Sequence, residues 1–219
     1  MLKVGSVITI RHYSMTSVFE SIISDIRTYS IEVRLPKECM NTVFLPGDPL
    51  AVAYEVGNSA EIKGGMIIDF NRQDELLAFS EDTYDEGMRM RSYQRFPVSL
   101  YADYRVIEEY VNKKCFALVK DISEYGLLVY SRDDHFKGMK MCLDIYLTRD
   151  ILSLTAEIVR KVERDGFYEY GLKIKHEGPY VFNHIKNFVK KSENELLGRY
   201  TRIRERGSCR NSMGFPKIF

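Results

Sequence analysis

The sequence predicts a mainly β protein built in two halves, followed by one helix towards its C-terminal end. Three observations carry that expectation. Short runs rich in Val, Ile, Tyr and Phe recur along the chain, separated by Gly, Pro, Asn and Asp. The charge changes sign partway: residues 1–88 hold 7 Lys/Arg against 14 Asp/Glu, a net of −7, whereas residues 89–219 hold 25 against 17, a net of +8. Helical spacing of apolar residues opens after Gly178-Pro179. A chain of 219 residues suits one large domain or two of ordinary size, and the reversal supports a boundary near residue 88.

In the first half, strands are expected over residues 4–10, 17–25, 29–35, 50–56, 60–70 and 75–80. Pro36, the Pro46-Gly47-Asp48-Pro49 turn and Gly57-Asn58 punctuate them, and Gly64-Gly65 marks either a tight hairpin or a bulge. Such short, closely spaced strands form a small barrel or a sandwich. Residues 83–88, Thr83-Tyr84-Asp85-Glu86-Gly87-Met88, read as a polar linker.

The strand pattern resumes over residues 96–105, 114–121, 126–131, 139–147, 153–163 and 167–175. Val98, Leu100 and Ala102 alternate with Ser99, Tyr101 and Asp103, which gives one buried face. Lys137-Gly138 and Arg164-Asp165-Gly166 are the expected hairpin turns. Val181, Phe182, Ile185, Phe188 and Val189 recur at helical spacing and are assigned to the core. From Gly198 to Phe219 the chain carries Arg199, Arg202, Arg204, Arg206, Arg210 and Lys217 against Glu205. Its first part is open to continuing the helix, while Gly207, Gly214 and Pro216 are expected to break it; a solvated basic tail is the expectation, the alternative being an arm for an acidic partner. No repeat of fixed period is evident.

Composition excludes several classes. The chain is 45% apolar and 29% charged, as soluble globular proteins are. No apolar run reaches the roughly 18 residues of a membrane span, and the N-terminal residues lack the pattern of a signal peptide; a cytoplasmic location is expected. Cys39, Cys115, Cys142 and Cys209 lie far apart, which favours reduced thiols over a disulfide or zinc site. His12, His135, His176 and His184 fall in no metal-ligand spacing and are expected mostly at the surface. No nucleophile elbow, Walker loop or dinucleotide glycine fingerprint occurs, so neither catalysis nor a resident cofactor or metal is expected.

Two strings carry the chemistry. Arg91-Ser92-Tyr93-Gln94-Arg95 places two guanidinium groups four residues apart, just before the strand that starts Phe96-Pro97-Val98. On a helix they share a face; in an extended chain their even separation also points them to one side. Planar guanidinium forks bind phosphate bidentately and stack on purine faces, and they donate in pairs to guanine O6 and N7. Asp121-Ile122-Ser123-Glu124-Tyr125-Gly126 adds a carboxylate, a hydroxyl and a permissive glycine between two strands. Each string alone has a plain structural reading: a solvated arginine pair, or a capped strand end. Together they supply what an anionic guanine nucleotide needs.

Arg91-x-x-x-Arg95-Phe96-Pro97-Val98 followed by Asp121-x-Ser123-x-x-Gly126 resembles the signature of PilZ domains, bacterial receptors for cyclic di-GMP. The resemblance covers about residues 89–195 and takes in Tyr170-Gly171-Leu172-Lys173-Ile174 and the C-terminal helix. Residues 1–88 resemble the N-terminal split barrel of YcgR-type flagellar-brake proteins, on the Leu-Pro-Gly-Asp loop and the strand layout. The resemblance implies two small β-barrels, a split barrel over residues 1–88 and a six-stranded PilZ barrel with helix and basic tail over 89–219. It implies that Arg91 and Arg95 grip phosphates and guanines, that Asp121 and Ser123 address guanine edges, and that Gly126 permits close approach. Met90 precedes Arg91 where the family has another arginine, with Arg89 one residue further off, which leaves open one or two ligands per site. Arg160 and Gly171 lie on strands near this site, and Arg160 either reaches the ligand or is an exposed strand charge. The implied partner is a flagellar motor or stator component. Two other classes compete: a β-barrel binder of single-stranded nucleic acid that uses the basic second half, and an adaptor without ligand. Near-neutral overall charge argues against the first, and the intact motif against the second.

Overall fold

The computed structural model describes residues 2–57, 59–82, 93, 95–107, 113–176 and 178–211. Among the described residues, twelve antiparallel strands close into two six-stranded barrels. The first contains β1 (Val7–Arg11), β2 (Phe19–Ile26), β3 (Ile31–Arg34), β4 (Pro49–Val56), β5 (Ser59–Asn71) and β6 (Leu76–Glu81), in the order β1-β2-β3-β6-β5-β4. The second contains β7 (Phe96–Val106), β8 (Cys115–Ile122), β9 (Gly126–Ser131), β10 (Lys140–Tyr146), β11 (Ile151–Arg164) and β12 (Phe167–Lys175). Its order, β7-β8-β9-β12-β11-β10, traces the same path. The fold thus repeats one topology that no fixed sequence period betrays.

Alternation along the strands builds each interior. Ile8, Ile10, Ile23, Val33, Leu77 and Phe79 fill the first barrel, each at most 1% exposed. Val98, Val119, Leu127, Met141, Leu143 and Tyr170 fill the second in the same way. Full burial of one such side chain contributes about 1.5–3 kcal/mol, so each barrel has a core of its own.

Gly64-Gly65 forms neither a hairpin nor a bulge. β5 runs straight through both, opposite Ala51 and Leu50 of β4. A Cβ on Gly65 would stand 2.6 Å from the Ser80 carbonyl oxygen, and one on Gly64 would meet the Asp82 carboxylate. Close approach, not a turn, explains the pair. The irregularity in β5 comes later, where Ile68 is left over between Ile67 and Asp69.

One helix, α1 (Pro179–Asn211), touches both barrels. Ile185 and Phe188 join the second core, with Val181 and Val189 packed against it. About two to four turns on, Leu196 and Tyr200 cover Ala51 and Ala53 on the outside of the first barrel. The Tyr200 hydroxyl donates to the Ala53 carbonyl at 2.7 Å. Beside this contact the buried Arg11 guanidinium reaches the Glu195 carboxylate and the Thr148 hydroxyl, and the Tyr13 amide donates to Ser99 Oγ at 2.9 Å. The first part of the basic stretch continues the helix, with Tyr200 only 4% exposed, and the expected break at Gly207 is corrected: the helix runs on to Asn211. Small side chains on β4 make a groove for the helix, and burial there outweighs the roughly 1 kcal/mol helix penalty of a glycine.

The histidines also depart from expectation. His12 and His135 are buried. His12 Nδ1 lies 2.6 Å from Ser14 Oγ, and His135 Nε2 lies 2.9 Å from the Tyr104 hydroxyl, so hydrogen bonds offset their burial. Among the described residues no helix is long and apolar enough to cross a membrane.

Truncation of Leu196 to Ala removes a fully buried side chain from the joint between the barrels. The expected loss is about 2–4 kcal/mol, to be read from urea denaturation. Tyr200→Phe, which removes the hydroxyl shared between the Ala53 and Val7 carbonyls, should cost about 1 kcal/mol.

Candidate functional site

A bulge in β8 sets the site. Val119 pairs with Val129, but the next pair is Asp121 with Leu128, which leaves Lys120 over. Val119 and Ile122 both point into the core with no exposed surface. Two consecutive polar residues, Lys120 and Asp121, are therefore turned outwards. Bulges re-aim side chains in this way next to functional sites.

Each of the two takes a partner from one flank of the segment that joins the barrels. Arg95 Nη1 lies 3.1 and 3.2 Å from the two Asp121 carboxylate oxygens. Lys120 Nζ bonds Asp82, the residue after β6, and lies 5.6 Å from the Tyr130 ring centre. Burial disfavours the Lys120 ammonium, yet the neighbouring Tyr130 and Asp82 more than offset this and hold its pKa above the usual lysine value. The Arg95–Asp121 pair is partly wetted, its side chains 27% and 16% exposed. A pair in that setting contributes only about 1 kcal/mol and can be exchanged for a better partner.

Strand register extends the site sideways. Arg160 faces Gly171, Gly171 faces Leu128, and Leu128 faces Asp121. Residues directly opposite one another share a sheet face, so these four form a row on the outside of the barrel. It spans three strand spacings, about 14 Å. Gly171 leaves that row low, since a Cβ there would stand 3.2 Å from the Arg160 Cβ. A second bulge, at Val159, precedes Arg160. The Arg160 side chain is 54% exposed and bonds Glu169 at 3.2 Å, which fits the exposed strand charge as well as a reach towards the row.

The turn after β8 is tightly held. Gly126 N–H donates to Ser123 Oγ at 3.1 Å, and Ser123 N–H donates to the Gly126 carbonyl at 2.8 Å. Gly126 is required by space: a Cβ would stand 2.7 Å from the Leu172 carbonyl oxygen. Beside the turn, the rings of Tyr93 and Tyr125 lie 4.0 Å apart at 35°. His176 and Phe182 meet Tyr125 edge-on at 5.3 and 6.2 Å. A side-chain hydrogen bond with Tyr93 holds the Tyr125 phenol above its ordinary pKa. A recess of about 280 Å³ adjoins Tyr93, floored by Phe96, Ile122, Ile185 and Val189.

The structure brings Arg95, Asp121, Ser123 and Gly126 together and sets Gly171 and Arg160 in the same outer row. Arg89, Met90 and Arg91, with the linker at 83–88, lie outside the described residues. Sequence reasoning passed over Lys120, Tyr93 and Tyr125. The tyrosines had a signal, since both stand inside the two motif strings at positions without a core role. Lys120 had none, because strand alternation assigns it to neither partner nor bulge.

Residues 90–191 match the family model of the PilZ domain. No curated protein matches the sequence. Among solved structures, the chain is similar to the inhibitor of motility MotI/DgrA of Bacillus subtilis, with 13% identity over 88% of this chain and 97% of that one, at a TM-score of 0.40. It is similar to Escherichia coli YcgR in complex with c-di-GMP, with 10% identity over 91% and 88% of the two chains and a TM-score of 0.44. MrkH of K. pneumonia in complex with c-di-GMP gives 11% identity over 90% of each chain and a TM-score of 0.36.

Gly126→Ala should push the turn off the Leu172 carbonyl. A cost of about 1–3 kcal/mol is expected from overpacking, read as a lowered midpoint in chemical denaturation.

Proposed function

We propose that this protein is a cyclic di-GMP receptor of the flagellar-brake type, with a split-barrel unit over residues 1–88 and a ligand-binding PilZ unit over 89–219. The observation that carries the reading is the Arg95 guanidinium resting on Asp121 beside the Ser123–Gly126 turn. The ligand is a flat, doubly negative molecule with two phosphates and two guanines. Arg91 and Arg95 bind its phosphates and purine faces. Asp121 accepts from the N–H donors on a guanine edge once Arg95 has turned to the ligand, and Ser123 serves the same edge. Gly126 and Gly171 keep the wall low enough for close approach. Arg160 and the Arg89-Met90 pair border the ligand, and Met90 in place of an arginine leaves the choice between one and two molecules to titration.

The output is a changed arrangement of the two barrels. Asp82 and Arg95, the flanks of the connecting segment, sit on consecutive residues of β8. A ligand that draws Arg95 from Asp121 resets one flank while the other stays fixed. Such a shift requires tighter binding to one arrangement than to the others. The rearranged surface then engages a protein partner, a flagellar motor or stator component, at the cytoplasmic side of the flagellar base.

Calorimetry with cyclic di-GMP tests the reading. Each charge-assisted contact contributes about 1.5–3 kcal/mol, so Arg95→Ala should weaken binding at least about tenfold. Equal heats from the wild type and the variant would end the proposal.

A further inference from the structure

Tyr93 and Tyr125 have no place in the motif reading, yet they form the closest ring contact of the site. Each comes from a different string: Tyr93 lies between the two arginines, Tyr125 next to Gly126. Both rings are substantially exposed, 48% and 39%, although each offers an apolar face that water solvates poorly. The two are held differently. Tyr125 stands on a turn locked by the Ser123–Gly126 hydrogen bonds and is backed by the edges of His176 and Phe182. Among the described residues Tyr93 has one ring neighbour, Tyr125. One ring is a fixed platform, and the other is a cover laid on it.

We infer that Tyr125 is the stacking platform for one guanine of the ligand, and that the base takes the place Tyr93 occupies on it. This deepens the receptor reading and rests on it. A purine presents a π face of the same kind as a phenol ring, and the Tyr125 face lies beside the turn that carries Ser123 and follows Asp121, so a stacked base would have its edge near those acceptors. Base–aromatic stacking contributes about 1–3 kcal/mol per base. Because Tyr93 must leave first, the Tyr93–Tyr125 contact opposes binding, and its loss should favour the ligand.

Titration with cyclic di-GMP of the full chain and four variants tests this. Tyr125→Leu should bind at least about fivefold more weakly, whereas Tyr125→Phe should stay close to the wild type. Tyr93→Ala should bind about two- to tenfold more tightly, since an aromatic pair contributes about 0.5–1.5 kcal/mol. The chain has no tryptophan, so Tyr125→Trp places a sole indole on the platform, and its emission should be quenched as ligand saturates the site. Unaltered emission at saturation, or wild-type affinity in a folded Tyr125→Leu variant, would overturn the inference while Arg95→Ala still loses binding and the receptor reading stands. Equal weakening by Tyr93→Ala and Tyr125→Leu would overturn the displacement. Absence of binding by the wild type would instead remove the receptor reading itself, and this inference with it.

Discussion

The extra residue in β8 is the constraint on which the rest depends. A regular strand would alternate Lys120 and Asp121 between core and surface, and one of the two charges would be buried without water. The bulge spares that cost by placing Val119 and Ile122, three residues apart, in the core. Two adjacent outward charges of opposite sign follow. One holds Asp82 and the other holds Arg95, so the barrel wall grips both flanks of the connecting segment within two residues. The placement of the Arg95–Asp121 pair and the hold on the connecting segment are thereby set by the same irregularity.

Helix α1 opposes free movement of the barrels. Its first turns are part of the second core, and Leu196 and Tyr200 are part of the seam with the first barrel. Arg11, nearly buried, reaches both Glu195 on the helix and Thr148 on the second barrel. Removal of Glu195 leaves the buried Arg11 guanidinium without its counter-charge, a larger effect than loss of an exposed pair. Any rearrangement driven at β8 must therefore act against, or pivot on, this seam.

Much of this was legible in the chain. Alternation and Gly/Pro punctuation located all twelve strands to within a few residues, because each barrel buries one face of every strand. The second motif string stood out only beside the arginine string, since a carboxylate, a hydroxyl and a glycine at that spacing also suit a capped strand end. Tyr200 was not: a basic, glycine-containing stretch looks like tail until Ala51 and Ala53 are seen to form its groove. Nor were His12 and His135, whose burial depends on hydrogen-bond partners distant in sequence or dictated by loop shape. Gly64-Gly65 signalled something unusual, but only the neighbouring strand shows that the need was closeness and not curvature.

The repeated topology sharpens the meaning of the site. The first barrel has bulges at matching places: Ser24 is left over between β2 and β3, as Lys120 is between β8 and β9, and Ile68 matches Val159. These irregularities belong to the closure of six short strands into a barrel, not to ligand binding as such. The first bulge even has an aspartate after it, Asp25, in the place of Asp121. Its arginine, however, is Arg27, two residues away on the same exposed strand end. A local pair of that kind is satisfied within one hairpin and reports on nothing else. Asp121 instead holds an arginine from the approach to β7, 26 residues earlier, so its partner can be exchanged only by moving a flank of the segment between the barrels. The same bulge and the same carboxylate thus differ in consequence because of where the guanidinium comes from.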